Sequence, residues 1–136
     1  MIVTDSNVLV CLTVRSELSA LAEAVYAVDV QWAVPQLWVS EFRNTLVKYI
    51  QHRGMTMESA LLSLRSAEEI VSGREYAVAS EIVFELAKCS GCSAYDCEYV
   101  ALARDLGVPL VTADKQILRE FPKTAVSLEQ FIKKKK

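Results

Sequence analysis

The sequence predicts a parallel α/β fold, in which helices cover both faces of a short central sheet of about four to five strands. Two observations support this prediction. Short runs rich in β-branched residues alternate along the chain with longer segments of helical periodicity. The chain has 136 residues, of which 52% are hydrophobic, and this is enough for one compact core but too little for two ordinary domains.

The first half of the chain contains two predicted strands, each followed by helices. In order, the elements are a strand at Ile2 to Thr4, a short helix after Asp5, a helix from Ser16 or Ser19 to about Val28, a strand at Trp32 to Val34, and helices from Leu37 to about Arg53 and from Thr56 to about Val71. The longest of these helices has an apolar stripe that includes Phe42 and Leu46, and Gly54 marks its end.

The second half of the chain continues the alternation. Its predicted elements are a strand at Glu75 to Val78, a helix capped by Ser80, a helix from Ser93 to Gly107, a strand at Leu110 to Thr112, a short helix from Asp114 to Glu120, and a strand near Ala125 to Ser127. We expect one domain over residues 1–132 and a lysine-rich tail over residues 133–136.

The N-terminal apolar run does not have the pattern of a signal peptide. It lacks a basic leader and a small-residue cleavage site, and Asp5 and Asn7 interrupt it. No apolar run approaches the roughly 18 to 20 residues that a membrane-spanning helix needs. We therefore expect a soluble, cytoplasmic protein.

The charge balance argues against binding of nucleic acid by bulk electrostatics. Seventeen acidic and fifteen basic side chains give a net charge of −2. Four of the bases are the terminal lysines, so the body of the chain has eleven bases against seventeen acids, or −6. Domains that bind nucleic acid are usually basic. If this protein handles nucleic acid, a local basic rim or bound metal ions must attract the phosphates.

Two acids follow predicted strands directly. Asp5 comes after the first strand, and Asp114 comes one residue after Leu110-Val111-Thr112. In parallel sheets, ligands bind in the crevice beyond the carboxyl ends of the strands, so these acids are candidates for function. Each of them alone is also typical of a turn or helix cap.

Two further acids lie on predicted helices. Asp96 begins an apolar stripe formed by Tyr99, Val100 and Ala103, and a carboxylate in that position must be neutralised, paired or bound to a metal unless it points into solvent. Glu41 is one turn into the longest helix, where periodicity alone predicts a solvated face. Glu98 is predicted to be ordinary surface.

Four segments, TDSNVLV, SEFRN, SAYDCEYVALA and VTADKQIL, occur in an order and at spacings that resemble a PIN-domain ribonuclease. The short chain and the SAYD and VTADK segments look most like the VapC-type toxins of type II toxin–antitoxin systems. The resemblance covers essentially the whole chain. It implies a PIN-like fold and metal-dependent cleavage of RNA phosphodiester bonds.

The resemblance also implies a set of site residues. The metal-binding and catalytic acids of the family correspond to Asp5, Glu41, Asp96 and Asp114. Ser6, Asn7 and Thr112 match supporting polar positions, with Asn7 expected to orient Asp5 or a water and Thr112 to support the last acid. Carboxylate oxygens suit Mg²⁺ or Mn²⁺. Four bases near these acids in sequence are candidates for binding flanking phosphates, namely Arg15, Arg43, Lys48 and Lys115.

The family further implies a homodimer and an antitoxin partner. Apolar residues in the segment from Leu37 to Ile70 exceed what one core requires, although core packing also accounts for each of them. A PIN-domain RNA-processing nuclease without a toxin role fits the same motifs.

Other classes of function remain open from the sequence. Cys89 and Cys92 have CxxC spacing, but Cys89 ends a predicted helix, whereas reactive redox cysteines usually begin one. A zinc site would need further ligands such as Cys97 and the distant His52. A phosphoacceptor receiver domain would need two adjacent acids after the first strand, where only Asp5 stands. A non-catalytic binding protein would not need the full acid set.

Overall fold

The computed structural model describes residues 1–134, which form five strands and eight helices. In chain order, the elements are β1 (Ile2–Thr4), α1 (Ser6–Thr13), α2 (Ser19–Val28), β2 (Trp32–Pro35), α3 (Trp38–Arg53), α4 (Met57–Val71), β3 (Glu75–Tyr76), α5 (Ser80–Lys88), α6 (Ala94–Leu106), β4 (Leu110–Val111), α7 (Lys115–Glu120), β5 (Ala125–Val126) and α8 (Leu128–Lys134). The strands pair in the order β3-β2-β1-β4-β5, and every pairing is parallel. The predicted α/β fold with a five-stranded parallel sheet is confirmed.

The sheet separates two hydrophobic cores, because successive strand residues point to opposite faces. In β1, Ile2 packs with helices α1 to α4 and α8, while Val3 packs with α5, α6 and α7. In β4, Leu110 and Val111 divide in the same way. Both faces of the sheet are therefore covered, as is typical of an all-parallel sheet.

Two local predictions are wrong. The N-cap of α5 is Ala79 rather than Ser80, and no side chain caps this helix. The last helix, α8, was not predicted, although Leu128, Phe131 and Ile132 have helical spacing and the Ser127 hydroxyl accepts a hydrogen bond from the Gln130 amide at 3.2 Å. Lys133 and Lys134 of the expected tail belong to α8, and residues 135 and 136 lie outside the described part of the chain.

No helix within residues 1–134 has the length and apolar character needed to cross a membrane. Because the strands are parallel and all their carboxyl ends lie at one edge of the sheet, the segments that follow β1, β2 and β4 begin at that edge. These segments lead into α1, α3 and α7; Asp5 and Asp114 lie in two of them, and Glu41 lies in the first turn of α3.

Candidate metal centre

Asp5 is the most buried of the four acids, with 8% of its surface exposed. It is the N-cap of α1, and one of its carboxylate oxygens accepts a hydrogen bond from the Val8 amide at 3.0 Å. The other oxygen accepts a hydrogen bond from the Thr112 hydroxyl. The pKa of Asp5 is raised to about 6, mainly by burial and to a smaller extent by the charges of Asp114 and Glu41, while the hydrogen bonds from Thr112 and Val8 lower it.

Thr112 joins the first acid to the last. Its hydroxyl oxygen donates to Asp5 and accepts a hydrogen bond from the Asp114 amide at 3.0 Å. Asp114 is itself the N-cap of α7, where its side chain accepts from the Ile117 amide at 2.9 Å. Thr112 therefore fixes Asp5 and Asp114 relative to each other across the neighbouring strands β1 and β4.

Asp96 lies in the first turn of α6, which Ser93 caps by accepting a hydrogen bond from the Asp96 amide at 3.1 Å. Its side chain is half-buried. Burial raises the pKa of Asp96, and the nearby charge of Asp114 raises it further, while hydrogen bonds with Ser93 lower it. Gln116 of α7 donates to the Gly91 carbonyl in the loop before α6 at 2.9 Å, so the start of α6, which carries Asp96, lies near the start of α7, which Asp114 caps.

Glu41 lies in the first turn of α3 and completes the group. One carboxylate oxygen accepts hydrogen bonds from the Tyr99 hydroxyl at 2.6 Å and the Ser6 hydroxyl at 3.5 Å. Its charge acts on Asp5, so the solvated face predicted from periodicity is wrong for this residue. Glu41 instead faces the same crevice as Asp5.

Tyr99 is a polar contact that the sequence did not predict, since it was assigned only to the apolar stripe of α6. It is buried, and its hydroxyl donates to Glu41. Burial and the Glu41 carboxylate hold the pKa of Tyr99 well above its ordinary value, so the phenol stays protonated as a donor.

Glu98 was predicted to be ordinary surface, and this prediction is wrong. The side chain is half-buried, and burial raises its pKa, with a further contribution from the charge of Glu41. We call the group formed by Asp5, Glu41, Asp96 and Asp114 the acid cluster. Glu98 is a fifth acid next to this cluster and is not counted as part of it.

The acid cluster fits a hydrated divalent cation. Within residues 1–134, no lysine or arginine forms an ion pair with any of its four carboxylates, so their mutual repulsion is not relieved by a base. In the same part of the chain, no three carboxylate, thiolate or imidazole donors stand close enough together to hold an ion directly. This spacing does not suit zinc, which takes three or four protein ligands. Mg²⁺ keeps several waters and binds through one or two carboxylates, which suits the spacing.

The other predicted site residues are placed unequally. Asn7 is exposed on α1 and makes no hydrogen bond to an acid within the described residues, whereas its neighbour Ser6 contacts Glu41. Arg15 lies beyond the far end of α1, roughly 12 Å or more from Asp5 by the rise of eight helical residues, and it pairs with Glu23 at 2.8 Å. We therefore exclude Arg15 from the candidate site.

The three remaining bases are exposed. Lys115 follows Asp114 directly at the start of α7. Lys48 lies farther along α3 than Glu41 and shares a shallow groove with His52 and Arg53. Arg43 lines a different groove between α3 and α4. Lys48 is seven residues after Glu41 and therefore shares its face of α3, whereas Arg43 faces the groove towards α4.

The cysteines do not form a reactive or metal-binding group. Cys89 is exposed at the C-cap of α5, while Cys92 and Cys97 are buried. Burial raises the pKa of both buried thiols, which disfavours the thiolate needed for redox or metal chemistry. All four cysteines are free, and Cys11 is partly buried.

Comparisons with known proteins agree on one family. Residues 2–124 match the PIN domain. Ribonuclease VapC3 of Pyrobaculum aerophilum is 30% identical to this chain over 125 residues, which cover 89% of this chain and 95% of that protein. The crystal structure of PAE2754 from Pyrobaculum aerophilum superposes with a TM-score of 0.71 at 21% sequence identity. The match covers 98% of this chain and 95% of PAE2754, so the two proteins share a fold. The extent of the match and the five-stranded parallel sheet together place this chain in the PIN-domain family.

Proposed function

We propose that this protein is a metal-dependent endoribonuclease that uses Mg²⁺ or Mn²⁺ at the acid cluster. The observation that carries this proposal is that Asp5, Glu41, Asp96 and Asp114 come from four separate segments to one edge of the sheet, where no base within residues 1–134 forms an ion pair with them. The similarity to Ribonuclease VapC3 supports RNA as the substrate. A second candidate role, an RNA-processing nuclease without a toxin function, would use the same residues.

Each part of the cluster has a distinct task in this proposal. When bound, a divalent cation supplies Lewis-acid stabilisation of the charge that develops on a phosphodiester during hydrolysis. Asp5 and Asp114 would hold the cation from rigid positions, because helix caps and Thr112 fix both side chains. Tyr99 and Ser6 orient Glu41 through its Oε1 oxygen, which leaves its second oxygen available. Lys48 and Lys115 are proposed to contact flanking phosphates.

The proposed biological role is that of a cytoplasmic VapC-like toxin controlled by an antitoxin. The presence of an apolar groove between α3 and α4 favours binding of a protein partner. It is lined by Leu46, Ile50 and Leu64 among others, and Met57 beside it is 70% exposed. Single exposed apolar residues are common, but a lined groove with several of them typically marks an interaction site. We propose that antitoxin binding or homodimer formation covers this groove.

We also propose that residues 1–132 act as one PIN domain. The two cores are built on a single sheet, and no composition break separates them. Lys133 and Lys134 are exposed at the end of α8, and we propose that the catalytic unit does not require their side chains.

The proposal is tested with a panel of structured and single-stranded RNAs. The wild-type protein should cleave at least one of them in Mg²⁺ or Mn²⁺, and EDTA should reduce cleavage to background. The double variant Cys89→Ser/Cys92→Ser should keep activity within about twofold, because within residues 1–134 neither thiol forms a hydrogen bond with an acid of the cluster. Cleavage that persists in EDTA, or is lost with the cysteines, would contradict the proposal.

Tyr99→Phe tests the orientation of Glu41. Removing a hydrogen bond to a charged group should lower the free energy of unfolding by about 1.5 to 3 kcal/mol in urea titrations. It should also raise the Mg²⁺ concentration for half-maximal cleavage by roughly tenfold, the effect typical of residues that orient metal ligands. Tyr26→Phe is the control, since Tyr26 packs against Trp32 away from the acids. An unchanged Mg²⁺ requirement in Tyr99→Phe would show that Tyr99 only stabilises the fold.

A further inference from the structure

A cleft of about 270 Å³ lies beside the acid cluster, at the carboxyl ends of β2 and β3. Part of its wall is formed by Gln36, which follows β2, and by Tyr76 at the end of β3. The backbone N–H of Gln36 donates to the backbone carbonyl of Tyr76 at 3.1 Å. Val83 and Phe84 of α5 form the apolar side, and Glu98 of α6 forms the polar side. Drug-sized ligands usually occupy roughly 300 to 1,000 Å³, so this cleft suits a single flat ring system.

Glu98 and Gln36 of the cleft have side chains without a hydrogen-bond partner within residues 1–134. Within residues 1–134, the Glu98 carboxylate forms no hydrogen bond and no ion pair, although it is half-buried. The Gln36 side-chain amide likewise has no hydrogen bond in the described chain. A half-buried carboxylate without a donor loses free energy that a ligand with N–H groups would restore.

The apolar wall carries an aromatic ring that contributes little to the fold. Phe84 is 69% exposed, yet it lines the cleft. Single-stranded RNA is typically recognised by stacking of an unpaired base on an exposed aromatic ring, with hydrogen bonds to the edge of the base. The cleft combines these two features, a stacking surface and a carboxylate.

The cleft is also at the right distance from the acid cluster. Glu98 directly precedes Tyr99 on α6, and the Tyr99 hydroxyl donates to Glu41 of the acid cluster at 2.6 Å. Neighbouring strands are about 4.8 Å apart, so one or two strand spacings, roughly 5 to 10 Å, separate the ends of β2 and β3 from Asp5 on β1. This separation is comparable with the reach of one nucleotide from its phosphate to its base.

We propose that this cleft binds one unpaired base next to the scissile phosphate and that it selects guanine. Guanine presents two adjacent N–H donors that match the two oxygens of the Glu98 carboxylate. The carbonyl oxygen of guanine can accept a hydrogen bond from the side-chain amide of Gln36. Uracil presents one N–H between two carbonyl oxygens, which the carboxylate would repel. The inference rests on the proposed nuclease function and adds a base preference to it.

The test measures binding separately from cleavage. Fluorescence anisotropy compares hexauridylate with the same oligonucleotide carrying one guanine, in Mg²⁺, with protein in which Asp5→Asn removes one cluster acid. The guanine-containing RNA should bind about tenfold more tightly, the discrimination typical of a bidentate contact to a base. Adding Glu98→Gln should abolish this preference, and adding Phe84→Ala should weaken binding of both RNAs.

Asp105→Asn is the matched control, because it removes one charge from an exposed position on the same helix. It should leave the preference intact. Equal affinity for the two RNAs, or a preference that survives Glu98→Gln, would overturn the inference. Cleavage of the same RNAs by the wild-type protein separates the two proposals. Selective binding without any cleavage would refute the nuclease function alone, and cleavage with equal binding would refute the base site alone.

Discussion

Asp96→Asn is expected to reduce metal-dependent RNA cleavage by roughly 100-fold to 1,000-fold, the loss typical when one charge-stabilising group is removed from an active site. The substitution preserves shape and removes the charge. Ser93 caps α6 through the Asp96 backbone amide, so the helix start does not depend on the carboxylate. The change therefore tests the chemistry of Asp96 with little effect on the fold.

The measurement is the rate of cleavage of the best RNA of the panel at saturating Mg²⁺, with circular dichroism and thermal unfolding as checks of folding. Asp114→Asn should give a comparable loss, and because asparagine also caps helices, α7 should still form. Asp105→Asn on the exposed part of α6 should cleave like the wild type. If Asp96→Asn kept more than a third of the activity, the assignment of Asp96 to the metal centre would be wrong.

The second large effect concerns stability. Without metal at pH 7, Asp5→Asn is expected to raise the free energy of unfolding by about 2 to 3 kcal/mol. The pKa of Asp5 is about 6 in the folded protein against 3.8 for an ordinary aspartate. The folded state therefore binds this proton more tightly than the unfolded state, and each pKa unit of difference corresponds to about 1.4 kcal/mol.

The sign of this effect gives it a distinct pH dependence. The ionisation of Asp5 should lower the stability of the wild-type protein as pH rises from about 4 to about 6 and should add nothing further above that range. Asparagine does not titrate, so the difference between the two proteins should be near zero at pH 4 and largest at pH 7. Urea unfolding in EDTA at pH 4, 5, 6 and 7 measures it.

Mg²⁺ should reverse the order of stability. A ligand that binds only the folded state stabilises it, and the wild-type protein offers the complete acid cluster. A stability difference between the two proteins that does not change with pH would show that burial does not raise the pKa of Asp5 in the folded state.

The sequence was informative where local chemistry determines structure. Asp5, Ser93 and Asp114 are typical helix caps, and all three cap helices in the structure. The alternation of strands and helices was likewise sufficient for the parallel sheet, because each strand is a short apolar run between helical periods. Parallel pairing then brings the residues after β1 and β4 together without further information.

The sequence was less informative where a position depends on packing between distant segments. The contact of Tyr99 with Glu41 joins residues 58 positions apart, and periodicity classified the ring correctly as buried while giving no information on its hydroxyl. Glu98 was assigned to the surface because the cleft beside it is formed by β2, β3, α5 and α6 together. The α8 helix was missed because the lysine-rich end obscured its three apolar residues.

The double role of Asp5 and Asp114 has a consequence for how copies of this chain diverge. Both residues start helices, so selection for folding alone would keep aspartate or a similar capping residue there even in a copy that had lost its chemistry. Glu41 and Asp96 lie inside the first turns of their helices and are not caps. In an inactive descendant, drift should therefore become visible first at Glu41 and Asp96.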